Sequence, residues 1–214
     1  MQETTPLTSF GPIVRPGMIM GTTNLSPLSL LIKKFKPGPF QMFNQNVCSH
    51  IALSVLWSPA YAKCIEVAAK AWGCAPRIPV VPAGSLLGIE ATWPRCRWFR
   101  LDHYAMARTS KPHYVFVSQP LNRARSVDEI NRFIWSYAGK PYELAVFLQP
   151  YGIPSSDTKD KTAYCSEIAH ELLNFTNTTH EAAWQYGVPP IDIQLHFEAC
   201  HETLWKCYTG NWYD

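Results

Sequence analysis

The sequence predicts an α+β fold, an antiparallel sheet packed against helices. Three observations carry that expectation. Apolar runs of strand length occupy residues 51–55, 86–93 and 114–118. Stretches with helical spacing and their own start and stop signals occupy 58–73, 126–139 and 165–173. Eighteen prolines against eleven glycines break the chain into short elements joined by stiff loops.

In chain order, residues 1–15 read as an extended arm. Pro16 and Gly17 make a turn, and Met18, Ile19 and Met20 a short strand that Gly21 ends. Ser26 and Pro27 open a helix as cap and first helical residue. Leu28, Leu31, Ile32 and Phe35 form its apolar face, and Lys33, Lys34 and Lys36 complement the dipole near its end. Ile51, Leu53 and Val55 alternate with small residues as a buried strand, with His50 at its leading edge. Ser58 and Pro59 start a helix in which Tyr61, Ile65, Ala68 and Trp72 share a face and Gly73 ends the run.

Residues 86–93 form a further apolar strand with Glu90 inside it, a costly place for a carboxylate unless it is paired. Tyr114 to Ser118 is the clearest strand. Ser126 and Glu129 have the spacing of a capping box, followed by a face of Ile130, Phe133, Ile134 and Tyr137 that Gly139 closes. Residues 141–148 begin another apolar helix, and 155–161 are a polar loop. Ile168, Ala169, Leu172 and Leu173 then define a buried helix with Cys165 at its first turn. Residues 191–197 fit a helix or a strand equally.

A chain of 214 residues, 47% hydrophobic and 16% charged, holds a sizeable core. It is expected to be a single domain over 1–214, with 58–73 as an inserted helix. A formal charge of +3 without a basic run gives no footprint for nucleic acid. The seven cysteines are odd in number and contain no C-x-x-C pair, which fits a reducing compartment better than a disulfide framework. His196, Cys200, His201 and Cys207 lack the spacing of a structural zinc site, so neither metal nor cofactor is expected. The first residues carry no secretory signal, and no apolar run reaches the roughly 18 residues of a membrane span. The expected location is cytoplasmic, or virus-borne with release that needs no signal peptide, in association with a viral particle or a cell wall.

No G-x-S-x-G, phosphate-binding loop, dinucleotide fingerprint or H-E-x-x-H occurs. A cysteine at a helix start, a histidine at a strand start and a glutamate in a strand remain. Orphan amides and the positive dipole end at a helix N-terminus favour a thiolate, the nucleophilic form of cysteine. A histidine takes the thiol proton and returns it to the leaving group, a carboxylate orients the imidazole, and the helix-start amides receive an oxyanion. The residues are Cys165, His50 and Glu90, with Asp102 as the alternative third member.

Four stretches also resemble a known family, the circularly permuted branch of the NlpC-type papain-like cysteine hydrolases, the YiiX-like group. Residues 16–21 resemble its opening strand, with Met18 where an acidic residue is usual. Ser49-His50-Ile51-Ala52-Leu53 matches its S-H-x-x-apolar motif, and Gly88-Ile89-Glu90-Ala91 its I-E-A strand. Gly139-Lys140-Pro141-Tyr142 with Tyr164-Cys165-Ser166-Glu167 matches its G-x-x-Y and Y-C-S-E ending. The likeness spans about residues 13–200, and the helix inserted between the histidine and acidic strands departs from the pattern. The resemblance implies a permuted papain-like fold with histidine before cysteine, and Cys165, His50 and Glu90 as the triad. It implies attack on the carbonyl of a peptide or acyl substrate, foremost an amide in a peptidoglycan-type peptide. Lipid-directed acyl transfer or thioester hydrolysis, and a binding or virion-assembly protein that keeps the fold without turnover, are the alternatives. Trp57, Trp93, Trp98 and Tyr142 lie near the motifs and belong either to the core, as aromatic residues there more often do, or to the lining of a groove.

Overall fold

The computed structural model describes residues 14–23, 48–101, 113–119, 121, 125–143, 161–176, 193 and 203–206. Its centre is a sheet of six strands: β1 (Ile19–Thr23), β2 (His50–Leu56), β3 (Leu86–Glu90), β4 (Arg97–Arg100), β5 (His113–Ser118) and β6 (Thr203–Lys206). Their order across the sheet is β4-β3-β2-β1-β5-β6, and every pairing is antiparallel. Among the described residues, three α-helices accompany it: α1 (Ala62–Ala71), α2 (Val127–Trp135) and α3 (Cys165–Phe175). The α+β class and the antiparallel sheet are therefore those expected from the sequence.

Alternation along the strands divides the core in two. Ile51, Leu53, Val55, Leu87 and Ile89 pack with Ile130, Ile134, Trp135, Ile168, Ala169 and Leu172. Met18, Met20, Ala52, Phe99, Tyr114 and Val117 form a second cluster. Burial on both faces explains why the central strands read as near-continuous apolar runs. At about 25 cal/mol per Å² of apolar area, each fully buried aliphatic side chain contributes roughly 1.5–3 kcal/mol.

Several local expectations hold. Gly17 takes φ +81° in the turn before β1. The Ser126 hydroxyl accepts from the Glu129 amide at 3.2 Å while Glu129 Oε2 accepts from the Ser126 amide at 2.9 Å, which completes the capping box. The helix expected from Ser58 begins as a 3-10 turn, Pro59–Tyr61, and continues as α1.

Others need correction. Gly21 does not end β1 but lies within it, directly opposite Phe116 of β5. A Cβ there would sit 2.1 Å from the Phe116 ring, so the glycine serves a close cross-strand approach rather than a stop. Pro141 and Tyr142 do not start a helix. They pair as bridges with Arg95 and Ala163, because 139–143 is strung between the loop before β4 and the segment leading into α3. The strands β4 and β6 were not anticipated. Trp57 is a core residue, edge-on to Trp135 at 5.8 Å, with its indole N–H donating to the Val81 carbonyl at 3.1 Å. The expected helix from Ser26, the remainder of 141–148, the loop 155–160, Asp102 and the His196, Cys200, His201 and Cys207 group lie outside the described residues.

Candidate active site

One end of the sheet collects the chemistry. Ala52 pairs with Glu90, so His50, two residues earlier on β2, projects beyond the last residue of β3 at that end. Glu90 also pairs with Arg97, the first residue of β4. Helix α3 packs directly on β2, and its first residue is Cys165. Start of β2, end of β3, start of β4 and N-terminus of α3 thus converge.

Tyr164 caps α3 in an extended conformation, and its amide donates to Glu167 Oε2 at 3.1 Å. The approach is clamped from outside the helix. The Ala163 amide donates to the Pro141 carbonyl at 2.8 Å, and the Glu143 amide to the Ala163 carbonyl at 3.0 Å. The first amides of a helix have no intrahelical acceptor, so this turn presents donors and a positive dipole end around Cys165. Cys165 itself has no exposed surface.

His50 lies between Cys165 and Glu90. Its Nε2 is 2.9 Å from Glu90 Oε2, and the second carboxylate oxygen, Oε1, accepts from Arg97 Nε at 2.8 Å. Glu90 is completely buried, whereas the His50 side chain keeps 19% of its surface exposed and Arg97 45%. The costly buried carboxylate is therefore held by two cationic partners. With Nε2 engaged by Glu90, Nδ1 is the ring nitrogen that remains for Cys165. Burial pulls the His50 pKa down, but the negative charge of Cys165 and the hydrogen bond His50 donates to it, then the bond donated to Glu90 and that carboxylate's charge, outweigh it and push it up to about 10. Both partners thus favour the imidazolium, the form that donates from both nitrogens.

Two further groups border the thiol. Burial, then the negative charges of Cys165, Cys96 and Glu90, hold the Tyr142 phenol well above its ordinary range, so it stays a proton donor. Burial likewise pushes the Cys96 thiol up to about 12, opposed by Lys140 and reinforced by Glu167 and Cys165. Cys96 is consequently an inert thiol at neutral pH. Cys48, Cys64, Cys74, Cys96 and Cys165 are all free cysteines.

The three residues read from the sequence, Cys165, His50 and Glu90, come together here. Arg97 was missed, although the alternation of Arg97 and Phe99 on a short strand was there to be read. Of the aromatic residues near the motifs, Trp57 and Tyr142 are buried in the core, while Trp93 and Trp98 line a pocket of about 410 Å³ beside the site. No helix among the described residues is long and apolar enough to cross a membrane. No known protein family, characterised protein or solved structure matches the chain.

Proposed function

We propose that this chain is a thiol-dependent hydrolase on a permuted papain-like, NlpC-type fold, with Cys165 as nucleophile, His50 as acid–base and Glu90 as the residue that orients it. The observation that carries the reading is the linked series Cys165, His50 and Glu90, with His50 Nε2 2.9 Å from the buried Glu90 carboxylate and the buried cysteine on the first turn of a helix. Cys165 Sγ, as thiolate, attacks the carbonyl carbon. The oxyanion that forms is received by amides of the first turn of α3 and by the protonated Tyr142. His50 Nδ1 gives its proton to the leaving group, the bond to that group breaks, and a thioester remains on Cys165. His50 then takes a proton from water, whose oxygen attacks the thioester and restores the thiolate. Glu90 holds the His50 ring in both its protonated and neutral forms and stays ionised, and Arg97 holds Glu90.

The bond we propose is an amide in a peptide of cell-wall type, following the resemblance of the histidine, glutamate and cysteine motifs. The complete burial of Cys165 favours a second reading, a binding protein that keeps the fold without turnover. Incubation of the reduced protein with acyl esters, acyl thioesters and peptidoglycan-fragment amides separates the two. The hydrolase reading expects turnover of at least one class, and a fall of about four orders of magnitude or more in Cys165→Ser with the melting temperature unchanged. Absence of turnover by the reduced wild type on all three leaves the binding reading.

A further inference from the structure

The wall that carries Arg97 also bounds a concavity the triad does not use. The pocket of about 410 Å³ is lined by Arg77, Arg95 and Arg97, by Trp93 and Trp98, and by small apolar side chains. Arg97, which lines it, donates to Glu90 Oε1 at 2.8 Å, so the pocket shares a wall with the triad. An adjoining concavity of about 660 Å³ shares Arg77, Arg97 and Trp98 and adds Arg100. Neither lining contains an aspartate or glutamate.

The arginines divide by what they already hold. Arg95 Nη1 donates to the Trp72 and Gly139 carbonyls, both at 3.0 Å, which makes it a brace for the loop. Arg97 gives its Nε to Glu90 and turns the rest of the guanidinium outward, with 45% of the side chain exposed. Arg77 is exposed, and its side chain has no acidic partner among the described residues. Its carbonyl accepts from the Trp98 indole at 2.8 Å, which fixes the backbone beneath it. Arg77 and Arg97 both line the two concavities beside Trp98. Arg97 Nε is held by Glu90, but the other guanidinium donors have no acidic partner among the described residues, and together they make a receptor for a planar or tetrahedral oxyanion.

Resting on the thiol-hydrolase reading, we infer that this concavity is a substrate subsite for an anionic group, a carboxylate or a phosphate, attached to the acyl portion. Arg77 and Arg97 are its specificity-determining residues. Trp98 and the apolar wall cover the carbon skeleton between that group and the carbonyl at Cys165. A substrate with a neutral group at this position leaves the guanidiniums in water and gains nothing from them.

The test uses the full chain and p-nitrophenyl esters whose acyl arm ends in a carboxylate, a phosphate or a neutral amide. Wild type is expected to favour an anionic ester over the amide by about tenfold in kcat/KM at low salt, with the preference shrinking as salt screens it. Arg77→Gln brings the ratio to near one. Lys63→Gln, which removes an exposed cation on α1, leaves it as in wild type. Arg97 is left intact because its loss would also release Glu90. Whichever anion gives the larger ratio identifies the group.

If wild type turns over no ester, calorimetry reads the subsite alone, and the hydrolase reading is decided separately by the thioester and amide substrates. Inorganic phosphate or N-acetyl-glutamate should then bind wild type and Lys63→Gln, and neither should bind Arg77→Gln. N-acetyl-glutamine should bind none of the three. Equal handling of anionic and neutral probes, or an anion preference that survives Arg77→Gln, overturns the inference.

Discussion

The two ends of β2 bury polar side chains in opposite ways. Towards the Leu56 end, each one is bonded to backbone. Ser54 Oγ accepts from the Met18 amide at 2.8 Å and donates to the Arg15 carbonyl. On β5, Ser118 Oγ accepts from the Ile19 amide at 2.9 Å, and Asn131 of α2 accepts from the Leu56 amide at 2.7 Å. At the His50 end the bonds run from side chain to side chain, through Cys165, His50, Glu90 and Arg97. The first arrangement satisfies backbone groups that the sheet leaves over. The second buries ionisable groups against one another, which is weak stabilisation for its desolvation cost and is concentrated at functional sites. One end of the strand ties polar side chains to the backbone, and the other ties ionisable side chains to one another.

The contrast can be broken at either end, and the largest effect is expected at Glu90. Glu90→Gln keeps size and hydrogen-bonding capacity but removes the charge that holds the imidazolium. Turnover should fall about a hundredfold or more while the fold persists, as judged by steady-state kinetics and circular dichroism. If Glu90→Gln retains full turnover and Asp102→Asn loses it, the orienting role belongs to Asp102.

At the other end, Ser54→Ala strands the buried Met18 amide. It should lower the unfolding free energy by about 1–3 kcal/mol in urea titrations and leave kcat at the wild-type value. A loss of kcat with unchanged stability would erase the distinction between the two ends.

The smallest effect is in pH dependence. His50 is raised from 6.5 to about 10, so its proton is bound more tightly in the folded state. The stability that proton confers is fully present below about 6.5, declines as pH rises, and is gone above about 10. The difference in urea-unfolding free energy between wild type and His50→Gln should therefore shrink steadily from pH 6 to pH 10. A constant difference over that window would mean that His50 does not gain its proton on folding.

The site was legible to the extent that local pattern encodes it. His50 and Cys165 stand at the first positions of elements with clear apolar periodicity, and Glu90 is a carboxylate inside an apolar run. What escaped depends on contacts distant in sequence. Arg97 belongs to a four-residue strand, Arg97–Arg100, whose outer arginines hide its single buried Phe99. Tyr142 is brought to the approach of Cys165 because it pairs with Ala163 and its amide donates to the Pro94 carbonyl, and that tertiary pairing overrides the helical start read at Pro141 and Tyr142. Gly21 was read as a stop because the Phe116 ring that requires it lies on another strand.

The central claim is that Cys165 carries an acyl group during turnover. It is tested most directly by intact-mass and peptide mass spectrometry of protein quenched in acid moments after mixing with a p-nitrophenyl ester. The account predicts a single acyl adduct on Cys165, absent from Cys165→Ser and formed despite the burial of the thiol. Adducts on the more exposed Cys64 and Cys74 in place of Cys165, or no adduct while the ester is consumed, would contradict it.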